Sequence, residues 1–236
     1  MSGLRNDSRV FGCGLGMFAS VLFCFAAATA AADDLDPVDD PLVAEIDAFI
    51  AGLDLDKSDK KWKSSVPAPG ATGAFDPEKT YYWNLETNRG DLKIELLPKA
   101  APLHVLSTIY LTRLGFYDDL KFHRIIPNRV VQGGSPTGNE KGMPGYLYGS
   151  EIDPELSHNK AGIVSMANGG PDTDSSQFFI MFGPATRLNG THTIFGKLTD
   201  GKPVLSKIER AGTASGKPKR RMYIRKATIS VEPAGS

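Results

Sequence analysis

At 236 residues with 41% hydrophobic content, the chain has room for one sizeable core plus extensions. Its 27 Lys and Arg balance 27 Asp and Glu, and a formal net charge of 0 argues against a role on nucleic acid or another polyanion. The only cysteines, Cys13 and Cys24, lie in an N-terminal apolar stretch, which removes disulfides and thiol catalysis from everything downstream.

Residues 1–32 have the make-up of a signal peptide. Arg5 and Arg9 supply a short basic region, residues 10–28 are apolar, and the small residues from Ala28 to Ala32 offer cleavage positions before the acidic Asp33 and Asp34. Cleavage and export, to the periplasm or outside the cell, are the expected outcome. The alternative is an uncleaved anchor, because residues 10–32 carry no charge and are long enough to span a bilayer. Within residues 33–79, Leu42, Val43, Ile46, Phe49, Ile50 and Leu53 share one helical face behind the start signals Asp39, Asp40 and Pro41. This predicts a short amphipathic helix over residues 41–53, which packs on the domain, frays in an acidic tail, or docks a partner. Residues 64–73, with Pro67, Pro69, Gly70 and Gly73, read as a flexible linker.

Residues 80–233 have the pattern of a β domain, followed by a tail at 234–236. Residues 81–88 and 91–97 flank Arg89-Gly90 as a hairpin. Residues 98–114 are helical: Pro102 suits a first turn, Leu106, Ile109, Tyr110 and Leu114 make the apolar face, and Gly115 stops it. A glycine-rich loop at 135–149 separates this part from strands near 162–166, 177–181 and 193–196. A short helix at 202–209 and a strand at 222–231 complete the set. Many short strands with two widely separated helices point to a mainly β, closed antiparallel architecture.

The stretch Phe-His-Arg-Ile-Ile-Pro-Asn-Arg-Val-Val-Gln-Gly-Gly-Ser-Pro at 122–136 puts one arginine, Arg124, inside an apolar strand. Strand alternation sets it on the face opposite His123 and Ile125. Downstream come Ser165-Met166-Ala167-Asn168-Gly169-Gly170-Pro171, then Ser176-Gln177-Phe178-Phe179-Ile180, then Leu188-Asn189-Gly190-Thr191-His192-Thr193-Ile194-Phe195-Gly196-Lys197. In this order and spacing the motifs closely resemble the cyclophilin family of peptidyl-prolyl cis-trans isomerases, over about residues 82–231. The resemblance implies an eight-stranded barrel capped by two helices, preceded here by the signal segment and the amphipathic helix. It also implies rotation about X–Pro bonds without a cofactor, acting as a monomer on proline-containing segments of exported proteins. Membrane contact would come only through an uncleaved leader.

By that resemblance Arg124 is the catalytic arginine. Gln132 bonds the substrate backbone and helps hold the arginine, Asn168 pairs with the peptide, and Ala167 and Gln177 line the groove. Phe179, Leu188 and His192 form the proline socket wall, and Val130 replaces a methionine there. Arg129 stands in place of a socket phenylalanine, and Arg187 in place of a tryptophan that in many members binds cyclosporin. Losing a buried Phe removes roughly 1.5–3 kcal/mol of apolar contact, or about ten- to a hundredfold in rate. An active but weakened isomerase follows, with a non-catalytic peptide-binding module or scaffold as the alternative.

Other chemistries lack their motifs. No Gly-Lys-Ser/Thr closes a phosphate loop, no Gly-x-Ser-x-Gly elbow appears, and the four histidines lack metal-ligand spacing. His123 is expected as a hydrogen-bonded core histidine, His104 and His158 at the surface, and Asp172 and Asp174 as turn residues. Residues 217–226 are basic, in keeping with a solvated strand edge or with anion contact.

Overall fold

A computed structural model describes residues 38–71 and 73–235, so the expected signal peptide lies outside the described residues. The N-terminal element is α1, Pro41–Ala51, and its start is fixed by local chemistry. The Asp40 carboxylate accepts from the Leu42 and Val43 N–H groups at 3.0 and 3.1 Å, and Pro41 occupies the first turn, where a missing N–H costs nothing. Leu42, Val43 and Ile46 are buried.

α1 packs beside α2, Pro102–Arg113. Arg113 donates to Asp47 of α1 through Nε at 2.8 Å and Nη2 at 2.6 Å, a two-pronged contact. Gly115, at φ 76°, ends α2: its N–H reaches Thr112 O and the Phe116 N–H reaches Leu111 O, both at 2.9 Å. The expected flexible linker is corrected. Val66 is 0% exposed, the Tyr110 hydroxyl donates to Pro67 O at 3.1 Å, and Gly145 N–H donates to Val66 O at 3.0 Å. Prolines and glycines fit a loop, but here apolar side chains and satisfied carbonyls fasten it to the domain.

The strands are β1 (Lys79–Thr87), β2 (Gly90–Leu96), β3 (Arg124–Ile126), β4 (Val130–Gly133), β5 (Ile163–Met166), β6 (Phe178–Met181), β7 (Ile194–Asp200) and β8 (Ile224–Pro233). They form one antiparallel sheet in the order β3-β4-β6-β5-β7-β2-β1-β8. The eight strands make a mainly β, antiparallel half-barrel, whose end strands β3 and β8 share no ladder. Residues 213–216 cover the free edge of β3, with Ile125 N–H donating to Gly216 O at 2.8 Å and Thr213 N–H to Ile125 O at 3.2 Å. Just outside the two strands a single bridge joins Lys121 to Tyr223.

Tyr81, Trp83, Leu85 and Thr87 of β1 point inward in strict alternation. Trp83 centres the core, with ring centroids 4.7 Å from Phe178 and 4.9 Å from Tyr117. The third helix, α3 (Lys202–Glu209), has the bounds expected from the sequence and packs on β2, β3 and β4. With α1 there are three α-helices among the described residues. None is long and apolar enough to cross a membrane.

Strands β5 and β6 are buried on both faces. Val164, Met166, Phe178 and Ile180 face the main core, whereas Ile163, Phe179 and Met181 join Ile194 in a second small cluster on the other side. That second cluster forms the floor of the site.

Candidate functional site

Alternation along the strands decides which side chains reach the outer face. In β3 and β4, Ile125 and Val131 go to the core, leaving Arg124, Ile126, Val130 and Gln132 on the other face. The register then aligns one row across the sheet: Arg124 opposite Gln132, Gln132 opposite Phe179, Phe179 opposite Ser165, and Ser165 opposite Ile194. A cleft of about 640 Å³ lies over this row. It is lined by every position the sequence singled out: Arg124, Arg129, Val130 and Gln132, then Ala167, Asn168, Gln177 and Phe179, then Arg187, Leu188 and His192.

Arg124 is held by a directed chain of hydrogen bonds. Its Nη1 donates to Gln132 Oε1 at 3.2 Å, Gln132 Nε2 donates to Gln177 Oε1 at 3.0 Å, and Gln177 Nε2 donates to Gly142 O at 2.7 Å. Gln132 and Gln177 are each 8% exposed, so the chain is shielded and fixes the guanidinium. The Arg124 side chain itself is 39% exposed and open to the cleft. Glu140 adds an ion pair, its Oε1 3.4 Å from Arg124 Nε. Gly134, at φ 81°, turns the chain after β4, and a Cβ there would overlap Ser176 O.

The apolar part of the cleft rises from the second cluster. Phe179 is 5% exposed and meets His192 edge-on, centroids 5.4 Å apart at 89°. His192 Nδ1 is 3.0 Å from Met166 O, which can only accept, so Nδ1 is the donor of this bond and the ring is held against the cleft wall. Val130, Ala167 and Leu188 pack against the cluster. Asn168 is pinned by Nδ2 bonds to Asp174 Oδ1 and Thr191 O, both 3.0 Å. Arg129 and Arg187 line the same cleft with exposed side chains.

Three histidines and one aspartate differ from expectation. His104 is 0% exposed, its Nδ1 2.6 Å from Glu151 Oε2 and its Nε2 3.3 Å from Asp174 Oδ2, the latter an ion pair out of line for a hydrogen bond. Asp174, also 0% exposed, is therefore a buried anchor for Asn168 rather than a turn residue, while Asp172 does sit in a turn, at φ 58°. His158 is buried too: Nδ1 donates to Asn189 Oδ1 at 2.9 Å and Nε2 accepts from the Ser165 hydroxyl at 2.8 Å. Burial lowers its pKa and keeps it neutral. His123 has both ring nitrogens buried with no hydrogen-bond partner, and burial lowers its pKa as well.

Burial opposes protonation of His104, but Asp174 and Glu151 outweigh it and raise its pKa above the ordinary 6.5. Burial likewise opposes ionisation of Glu151 and Asp174, and the neighbouring His104, joined for Asp174 by hydrogen bonds from Ser150 and Asn168, reverses that and lowers both pKa values. The signs define a window. The imidazolium contributes fully below pH 6.5 and its share is lost as pH rises through the raised folded value. The carboxylates contribute above their ordinary range and fail as pH falls through their depressed values. Melting temperature above pH 6.5 is expected to fall more steeply in wild type than in His104→Asn, a comparison that thermal scans across pH check.

Sequence reasoning missed Glu140, Lys141, Met143 and Leu147, which reach the cleft from the glycine-rich loop. The available signal was two large apolar residues in a polar loop, Met143 at 44% and Leu147 at 47% exposure. Among the described residues no cluster of His, Cys, Asp and Glu is arranged to hold a metal ion.

The family model described as "Cyclophilin type peptidyl-prolyl cis-trans isomerase/CLD" matches residues 82–229. A Gibberella zeae protein named peptidyl-prolyl cis-trans isomerase-like 2 is 41% identical over 158 residues, 65% of this chain but only 27% of that protein. The same organism's peptidyl-prolyl cis-trans isomerase-like 1 is 43% identical over 152 residues, covering 63% of this chain and 94% of that protein. The crystal structure of a Cryptosporidium parvum cyclophilin type peptidyl-prolyl cis-trans isomerase superposes with a TM-score of 0.62 at 36% identity, over 65% of this chain and 99% of that one. A crystal structure in the presence of the dipeptide Ala-Pro gives 0.61 at 38% identity, over 63% and 98%. Residues 38–79, with α1, precede the matched region.

Proposed function

The chain belongs to the cyclophilin-type peptidyl-prolyl cis-trans isomerase family, and from that premise we propose that it accelerates rotation about X–Pro bonds. One observation carries the proposal: a guanidinium locked by Gln132 opens into the same cleft as the apolar wall of Phe179, Leu188 and His192. An X–Pro amide resists rotation by ~18–20 kcal/mol because its C–N bond has partial double-bond character. As the bond twists, the nitrogen regains its lone pair and becomes an acceptor. An N–H of Arg124 fixed beside that nitrogen binds the twisted state better than either planar one. The socket around Phe179 holds the pyrrolidine ring, while Asn168 and Gln132 hold the peptide on one side. No proton, electron or covalent bond moves between protein and substrate.

Turnover of a prolyl peptide by the wild-type chain, in a protease-coupled assay, tests this directly. Binding without acceleration would leave only a peptide-binding module. Arg129 bears on efficiency, since its exposed side chain occupies a position where the family resemblance places an aromatic. Arg129→Phe is expected to raise kcat/KM by about ten- to a hundredfold through roughly 1.5–3 kcal/mol of added apolar contact. An unchanged or lower value would show that the socket is complete as it stands.

Export belongs to the same proposal and is supported by the basic, apolar and small-residue order of residues 1–32. The clients would then be exported proteins. N-terminal sequencing of the protein recovered from cell fractions checks it, and an intact Met1 in the cytosolic fraction would rule it out.

A further inference from the structure

We propose that the groove selects prolyl segments carrying acidic side chains, received by Arg129 and Arg187 beside the socket and by Lys141 and Lys217 farther along. The inference rests on the isomerase reading above and names its substrate class. The chain as a whole is neutral, with 27 cationic and 27 anionic side chains, but its groove is not. Among the described residues the lining carries Arg124, Arg129, Lys141 and Arg187 against a single carboxylate, Glu140.

That carboxylate is already turned to Arg124, 3.4 Å from its Nε. The guanidiniums of Arg129 and Arg187 have neither an ion pair nor a hydrogen bond among the described residues, and both side chains are exposed. They stand around an apolar floor that suits a proline ring, which leaves both free to pair with a carboxylate carried by the ligand.

The positive lining continues past Arg124 into an adjoining cleft formed with Glu140, Lys141 and Lys217. The backbone at Lys217 is fixed there, because Thr213 Oγ1 donates to its carbonyl at 2.9 Å and the preceding Gly216 carbonyl accepts from Ile125 of β3 at 2.8 Å, while its side chain is exposed. A cleft lined by one sign of charge gathers the opposite sign and speeds capture at low ionic strength. An acidic polypeptide fits better than a nucleic acid. Among the described residues Phe179 is the one Phe, Tyr or Trp in the groove lining, and at 5% exposure it gives bases no stacking platform.

The test compares Ala-Pro peptides flanked by Glu, Gln or Lys, with turnover read by NMR exchange so that no coupling protease biases the series. Each exposed charge contact is modest, so kcat/KM at low salt is expected to favour the Glu peptide over the Lys peptide by about three- to tenfold. The charges hold substrate and twisted amide alike, so the difference sits in KM. It shrinks at about 0.5 M salt, where screening acts within a few ångströms. The double substitution Arg129→Gln with Arg187→Gln brings the ratio toward unity. Equal rates for the three peptides at low salt, or a ratio indifferent to both salt and the double substitution, would overturn the proposal. So would a single-stranded oligonucleotide that displaces the Glu peptide more effectively than a Glu-rich peptide does. Absence of turnover on all three would instead sink the isomerase reading, and the order of their affinities by titration would still decide the charge preference.

Discussion

Arg124→Ala is expected to lower kcat/KM for a prolyl peptide by about 10²- to 10³-fold, the usual cost of removing one preorganised donor to a transition state. The loss belongs in kcat rather than KM, because the Arg124 contact to the prolyl nitrogen strengthens only when the amide twists. Stability should stay within about 0.5 kcal/mol, since the side chain is 39% exposed and Gln132 keeps its bond to Gln177. Arg124→Lys should recover little. Its ammonium lacks the planar fork that lets one guanidinium serve Gln132, Glu140 and a substrate at once. Activity of Arg124→Ala within threefold of wild type, at about 0.7 kcal/mol of barrier, would remove the mechanism. A fall confined to KM would make Arg124 a binding residue.

Ile46→Ala is expected to destabilise the protein by about 2–5 kcal/mol, the range for deleting a buried isoleucine down to alanine. Ile46 is 0% exposed in the main core although it precedes the matched family region by many residues. Its neighbours on α1, Leu42 and Val43, are buried in the same core, and Asp47 grips Arg113 of α2. For a domain near 200 residues this lowers the melting temperature by roughly 5–15 °C. Urea unfolding with an unchanged m-value distinguishes a lost contact from a loosened native state. A cost below about 0.5 kcal/mol would mean that α1 is a tether whose packing contributes nothing.

Much of the site was legible because strands carry a period of two. Once Ile125 was assigned to the core, Arg124 had to face outward, and the same rule separates Phe179 from Phe178. Helix ends were legible where the caps are local, as with Asp40 and Pro41 before α1 and Gly115 after α2. The histidines were not. His104 reads as surface only until Glu151, 47 positions away, and Asp174 close around it, and His158 waits for Asn189, 31 positions on. The packed linker escapes the sequence for a related reason: the Val66 and Pro67 carbonyls accept from Gly145 and from Tyr110 of α2, distant partners that no local pattern announces. Glu140 shows its place only when the loop after β4 folds back over Arg124.

What the sequence determined by itself was the set of elements and the face on which each functional side chain stands, because both follow from backbone periodicity and turn chemistry within a few residues. What only the tertiary structure decided was burial and local charge: how the sheet ends, which polar groups are sealed in, and that one cleft of a neutral chain is lined by four cations and Glu140 among the described residues. Those depend on contacts between residues tens of positions apart, and the free energy of such contacts is set by the assembled packing rather than by any segment that contributes to it.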